Sequence, residues 1–299
     1  MPGTSQSPRW QALLLIGFVL ACAAFLVLRF WPRDNLQNLL GLLPEDSAVQ
    51  LYIDVPSAVS ATGPVGFPLP LRLSLSASGL EAIAFGLAGQ DLYLAAGGRF
   101  GAGLIEAALA RQGVRCSEPI AVIPCHALLE HGTVSVSMLS DGIVFATTEV
   151  LRIAPVARAV AVDKAQAALD GGAVAWAEID PQLLDQAMET PPSNWLNVQL
   201  IARALEPAHV AYATLTPTPE GAFSLELEAH CAVEDTEQLR NVLKGLNDMT
   251  IALVARDAEA RTQWEPILKS FESNSEGQIV RASWILQAAD LAALWLVIN

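Results

Sequence analysis

Positive charge is scarce in this chain. Seventeen lysines and arginines stand against 31 aspartates and glutamates, a formal charge of −14 over 299 residues. A surface of that sign repels phosphate backbones and anionic headgroups, so nucleic-acid binding is excluded as an expectation. Cysteine and histidine are few, four of each. No two cysteines have the two-residue spacing of a structural zinc site. Catalytic signatures are missing as well. There is no P-loop, no Gly-x-Ser-x-Gly elbow, no His-Glu-x-x-His helix and no Ser-x-x-Lys. No cofactor is therefore expected. Disorder is excluded in turn, because 53% hydrophobic residues suffice for a full core.

Acid is also missing from one stretch, since no carboxylate precedes Asp34. There, residues 12–28 form an unbroken apolar run, with Arg9 and Trp10 before it and Arg29, Trp31 and Arg33 after it. At 1.5 Å per helical residue, such a run with tryptophan at both ends just spans a hydrocarbon core of about 30 Å. The reading is a short tail (1–9), a transmembrane anchor (10–31) and a linker (32–45).

Two cleaved alternatives compete with an anchor. Residues Val19-Leu20-Ala21-Cys22 satisfy a loose lipobox. However, a lipidated cysteine is normally followed by a polar tether, and here Phe25, Leu26, Val27 and Leu28 follow. A secretory signal would end at small residues, and the run continues without such a break. An uncleaved signal-anchor fits best. The expected placement is single-pass in the inner membrane, with the bulk of the chain on the periplasmic side.

Cys116 and Cys125 enclose eight residues that include Pro119 and Pro124. A disulfide, free thiols and a zinc site completed by His126 and His131 are the three readings. An oxidising compartment favours the first. Cys231 remains as a small core residue.

After the linker, one order of elements occurs twice. Ala48–Asp54 and Ala173–Asp180 read as strands, and Asp180-Pro181 reads as a helix start. Each half then offers a hairpin: Leu80–Ala88 with Asp91–Gly97, and His209–Thr216 with Ala222–His230. Helices follow at Gly101–Gln112 and after Glu234-Asp235-Thr236-Glu237. In the second helix Leu239, Val242, Leu243, Leu246, Met249 and Leu253 recur at helical spacing and are expected to be buried. Closing strands are Thr133–Leu139 with Ile143–Thr147, and Gln278–Leu286. Residues 154–169 link the halves as a helix. This pattern predicts an α+β chain: an N-terminal transmembrane helix, then two ferredoxin-like (βαββαβ) repeats with antiparallel sheets, at 46–160 and 161–299.

Leu43-Pro44-Glu45-Asp46-Ser47-Ala48-Val49, followed by Leu51-Tyr52-Ile53-Asp54, resembles the opening of an uncharacterised bacterial family of N-terminally anchored envelope proteins. Leu92 to Phe100, ending in Gly98-Arg99-Phe100, is similar to that family's strand and turn. So is Gly113-Val114-Arg115-Cys116 with Cys125 nearby. The chain departs from the pattern at Gly63–Pro70 and at Gly101, where an acidic residue is usual. The resemblance implies envelope location and architecture, and supplies no active-site residue.

Three groupings could carry chemistry. Glu226, Glu228 and His230 alternate on one face of a strand, a set capable of acid–base work. They also match what the wet side of a half-buried strand shows, with Phe223, Leu225, Leu227 and Ala229 on the other face. Residues Gly97 to Gly103 read as a helix-entry turn. The Cys116–Cys125–His126–His131 group is the third. The function expected is a non-enzymatic binding or scaffolding role, with a protein partner or self-association. The alternative is an envelope hydrolase with an unrecognised site.

Overall fold

The computed structural model describes residues 35–62, 79–111, 116–120, 124–129, 132–140, 142–148, 159–187 and 196–291. The anchor range 10–31 lies outside them. Among the described residues no helix is long and apolar enough to cross a membrane.

The strands are β1 (Val49–Asp54), β2 (Leu80–Ala88), β3 (Asp91–Gly98), β4 (Cys125–Leu129), β5 (Gly132–Ser140) and β6 (Ile143–Thr147) in the first half. The second half supplies β7 (Ala175–Ile179), β8 (Ala208–Pro217), β9 (Ala222–Cys231), β10 (Glu272–Glu276) and β11 (Ile279–Gln287). The helices are α1 (Asn35–Leu40), α2 (Val55–Thr62), α3 (Ala102–Arg111) and α4 (Ala159–Asp170). They continue with α5 (Pro181–Ala187), α6 (Leu196–Leu205), α7 (Thr236–Val254) and α8 (Ala258–Lys269).

The eleven strands among the described residues join one sheet in the order β10-β11-β9-β8-β7-β1-β2-β3-β6-β5-β4, and every neighbouring pair is antiparallel. The α+β class with an antiparallel sheet is as the sequence predicts. The hairpin turns close on Gly89 and Gly221, both at positive φ (57° and 80°), where glycine carries no steric cost.

The two halves meet at β1 and β7. Val49 pairs with Ile179, Leu51 with Ala177 and Ile53 with Ala175. Setting the ends Ile53-Asp54 and Ile179-Asp180 as equivalent makes this register symmetric about Leu51 and Ala177. A local two-fold therefore relates the first strands, and the strands run outward from it in parallel order in the two halves.

The ferredoxin-like arrangement is not the one adopted. A split βαβ unit would leave a gap beside its first strand, later filled by another. Here β2 pairs directly with β1, Ala82 opposite Asp54, and β8 pairs directly with β7, Ala211 opposite Ile179. In each half the next strand begins beside the end where the first one stops, and so runs antiparallel to it. In the second half the intervening helices α5 and α6 pack on each other.

One face of the sheet carries Tyr52, Ala84, Ala95 and Trp176, covered by Leu36, Leu39 and Leu40 of α1 and Ala165 of α4. The small alanines let the helices approach closely. The opposite face carries Ile53, Leu215 and Phe223 near the centre and Ala211, Ala229 and Val280 under α7. On α7 only part of the expected stripe is inside. Leu239 and Leu243 are buried, while Val242, Met249 and Leu253 stay exposed at 37%, 44% and 54%. The helix touches the sheet along a narrow line, so the apolar residues offset from that line face outward. Its buried Asn247 instead binds the Leu268 carbonyl at 3.0 Å, and its side-chain oxygen accepts from Trp284 Nε1 at 3.3 Å.

Candidate functional site

Helix α4 covers its face of the sheet only as far as Trp176 and Tyr212. Beyond it, among the described residues, the same face lies open across β8, β9, β11 and β10, forming a cleft of about 900 Å³. Lys164, Ala167 and Ala168 of α4 make one wall. Strand register orders the floor in two rows. Thr214, Glu226, Ser283 and Glu272 lie side by side across the four strands. Tyr212, Glu228, Arg281 and Asn274 form the neighbouring row.

Aromatic groups pave the inner end. Trp176, 2% exposed, stacks with Tyr212 at 6.2 Å between centroids and 26° between planes. His230 meets the Tyr212 ring edge-on at 5.6 Å. Lys164 Nζ sits 3.9 Å from the centroid of that ring, a cation–π contact.

Glu226, Glu228 and His230 thus share the open face, as their alternation predicts, and two of them are tied together. His230 Nε2 is 2.8 Å from one Glu228 oxygen, and Arg281 Nε donates to the other at 3.0 Å. Arg281 also reaches Glu276 at 3.6 Å. Partial burial works to raise the Glu228 carboxyl. Hydrogen bonds from His230 and Arg281, with the Arg281 charge, outweigh it and hold the group below the ordinary carboxylate range. Such a carboxylate stays ionised and is a poor proton acceptor. Among the described residues Glu226 accepts only from Ser224 Oγ, at 3.3 Å.

Nucleophilic chemistry needs a nucleophile bonded to a base that is itself oriented. His126 Nδ1 lies 2.9 Å from Ser135 Oγ across β4 and β5. Among the described residues no carboxylate orients that imidazole. Cys116 and Cys125 form a disulfide, with Cα atoms 5.2 Å apart. Of the three readings of this pair the disulfide is therefore the one found, and both sulfurs are committed to each other; His131 lies outside the described residues. Cys231 is buried, and burial, aided by the Asp235 charge, pushes its thiol up.

Residues Gly97 to Gly103 make a turn into α3. The Gly98 amide donates to Gly142, and the Arg99 amide donates to Gly79 at 2.6 Å. The Arg99 guanidinium pairs with Glu81 at 2.9 Å, so this turn uses its one cation internally.

Sequence reasoning did not single out Lys164, Trp176, Tyr212 or Arg281. The available signal was the shared parity of Trp176, Tyr212 and Glu228 within their strands. Strand order was needed to bring them together.

No family model and no curated protein sequence matches this chain. Solved structures of TP0453 are similar to it. Crystal form III is 11% identical, covers 87% of this chain and 98% of its own, and gives a TM-score of 0.49. Crystal form I is 11% identical over 86% and 96%, with a TM-score of 0.47. Crystal form IV is 12% identical over 85% and 95%, with a TM-score of 0.43.

Proposed function

We propose that this chain is an envelope protein, tethered in the inner membrane by residues 10–31, that works by binding rather than by catalysis. Its bulk lies on the periplasmic side, and its second half presents the cleft beside α4 as the recognition surface. The observation that carries this reading is the state of Glu228. The carboxylate–histidine set that could do acid–base work in the cleft is spent on an internal His230–Glu228–Arg281 bridge, while the cleft around it stays open among the described residues. A pre-formed concave surface with aromatic and polar groups is the usual form of a binding site. The Cys116–Cys125 disulfide supports an oxidising compartment.

The test places a photo-crosslinking residue at Thr214, inside the cleft, in cells that carry the full chain in their membranes. A defined adduct from position 214, and none from exposed Asp185 on α5, is the expected result. Equal labelling from both positions would overturn the cleft as the binding surface. A reporter fused after Asn299 that is active only in the cytosol would overturn the orientation.

A further inference from the structure

Within the cleft the charges are not equally engaged. Both cations already have partners: Arg281 is held by Glu228 and Glu276, and Lys164 lies on the Tyr212 ring. Glu226 and Glu272 take part in none of the ion pairs among the described residues. They stand on either side of Ser283 in one cross-strand row. Two strand spacings place their backbones about 9–10 Å apart. An anionic ligand would find no cation at liberty here and two carboxylates in its way. A positively charged ligand would meet the reverse.

The Tyr212 ring sharpens the choice. It stacks with Trp176, and His230 packs on it at nearly a right angle. The ring accepts an ammonium, because Lys164 already places one over it at 3.9 Å. Lys164 belongs to the exposed side of α4, and among the described residues that ring is the one partner its amine has. The lysine is thus an internal stand-in for a ligand ammonium, and a long flexible side chain of this kind swings aside at small cost.

We infer that the cleft binds an aliphatic diamine or polyamine. One ammonium replaces Lys164 on the Tyr212 ring and a second lies between Glu226 and Glu272. The ligand class rests on the reading of this cleft as the binding surface. A volume of about 900 Å³ accommodates a small organic ligand. The alkyl segment between the two charges would lie over Thr214 and the Ala168 side of α4. No covalent step is involved.

The experiment is calorimetric titration of the full-length protein with spermidine. Binding to the natural chain is expected, and Tyr212→Leu should weaken it roughly tenfold, the scale of a desolvated cation–π contact. Tyr212→Phe keeps the ring and should keep the affinity. Glu226→Gln and Glu272→Gln change exposed groups without touching the core, and each should weaken binding severalfold. Lys164→Ala should strengthen it, whereas Lys244→Ala, exposed on α7 across the sheet, should leave it unchanged. That contrast separates removal of a competitor from a general change in charge. Equal gains from both lysine variants, or spermidine binding indifferent to Tyr212→Leu and Glu226→Gln, would overturn the proposal. So would the absence of binding to spermidine while an oligolysine peptide binds. If no cation binds yet position 214 still yields a defined adduct, the ligand class falls and the binding role stands.

Discussion

Asp54 and Asp180 occupy equivalent positions in the two halves, and each gives its backbone amide to the other half. Asp54 donates to the Val174 carbonyl at 2.9 Å, and Asp180 to the Ala48 carbonyl at 2.8 Å. Both carboxylates then cap the helix that follows. Asp54 Oδ1 accepts from the Ser57 amide at 3.1 Å, and Asp180 Oδ1 from Gln182 and Leu183 at 3.0 and 3.1 Å. The seam between the halves and the first turn of each leading helix are thus fixed by the same two residues.

Replacing either aspartate by alanine removes a cap and leaves the strand hydrogen bond in place. We expect Asp180→Ala to cost about 1 kcal/mol in urea denaturation. Asp54→Ala should cost less, because it caps one amide rather than two. An unchanged midpoint for Asp180→Ala would show that water replaces the cap without loss.

The lowered Glu228 carboxyl gives a pH signature. A carboxylate whose folded pKa lies below its unfolded value contributes stability above the unfolded pKa and loses it as pH falls through the folded one. The stability gap between the natural chain and Glu228→Gln should therefore be present at pH 7. It should shrink as pH drops below the ordinary value of 4.5. Solvent screening keeps its size to about 1 kcal/mol or less, since the side chain is 35% exposed. A gap that grows on acidification would contradict the bridge.

Gly98 and Gly103 should respond to alanine with opposite sign. A methyl group on Gly98 would run into the Gly79 carbonyl and the Phe100 ring, with backbone on one side unable to yield. Overpacking of this kind costs about 1–3 kcal/mol. At Gly103, in α3, the added Cβ meets nothing within 4 Å, and helix propensity should give a gain of up to about 1 kcal/mol. Thermal melts of the two variants decide the matter.

Changing Cys116 and Cys125 together to serine removes a short covalent loop. The loop-closure estimate gives a loss of about 2–3 kcal/mol. The melting point should fall while the fold persists, because the clusters around Trp176 and Leu239 do not involve this loop. Alkylation at both Cys116 and Cys125 in protein taken from its native compartment would refute the bond there.

Strands and turns of the fold were legible where local chemistry is strong. Alternation and turn glycines marked β2, β3, β8 and β9 to within a residue or so. Asp180-Pro181 marked the start of α5. Strand β10 was not legible, because Glu272-Ser273-Asn274-Ser275-Glu276 has no apolar alternation. It holds its place as a polar edge, paired on one side only. Strand β4 was hidden behind the disulfide. The pairing order was also out of reach, since the choice between a split and a direct neighbour depends on where a connection ends, not on any strand's own residues. For the site, the Glu226–Glu228–His230 set was visible in one strand. The ring beneath Lys164 belongs to that strand's hairpin partner, and the lysine to a helix roughly fifty residues earlier.

The β1–β7 seam has a further consequence during synthesis. Until the chain has been extended to Ala175, β1 has a bare side, with Leu51-Tyr52-Ile53 offered to any extended segment nearby. The nascent first half therefore carries an unprotected pairing edge at its centre, and a second nascent copy presents the same one. Because the seam is related to itself by a two-fold, the partner an incomplete chain fits best is its own twin. Chains cut short before residue 175 should pair through β1 and aggregate, and the completed chain escapes this by folding its own second half onto the edge.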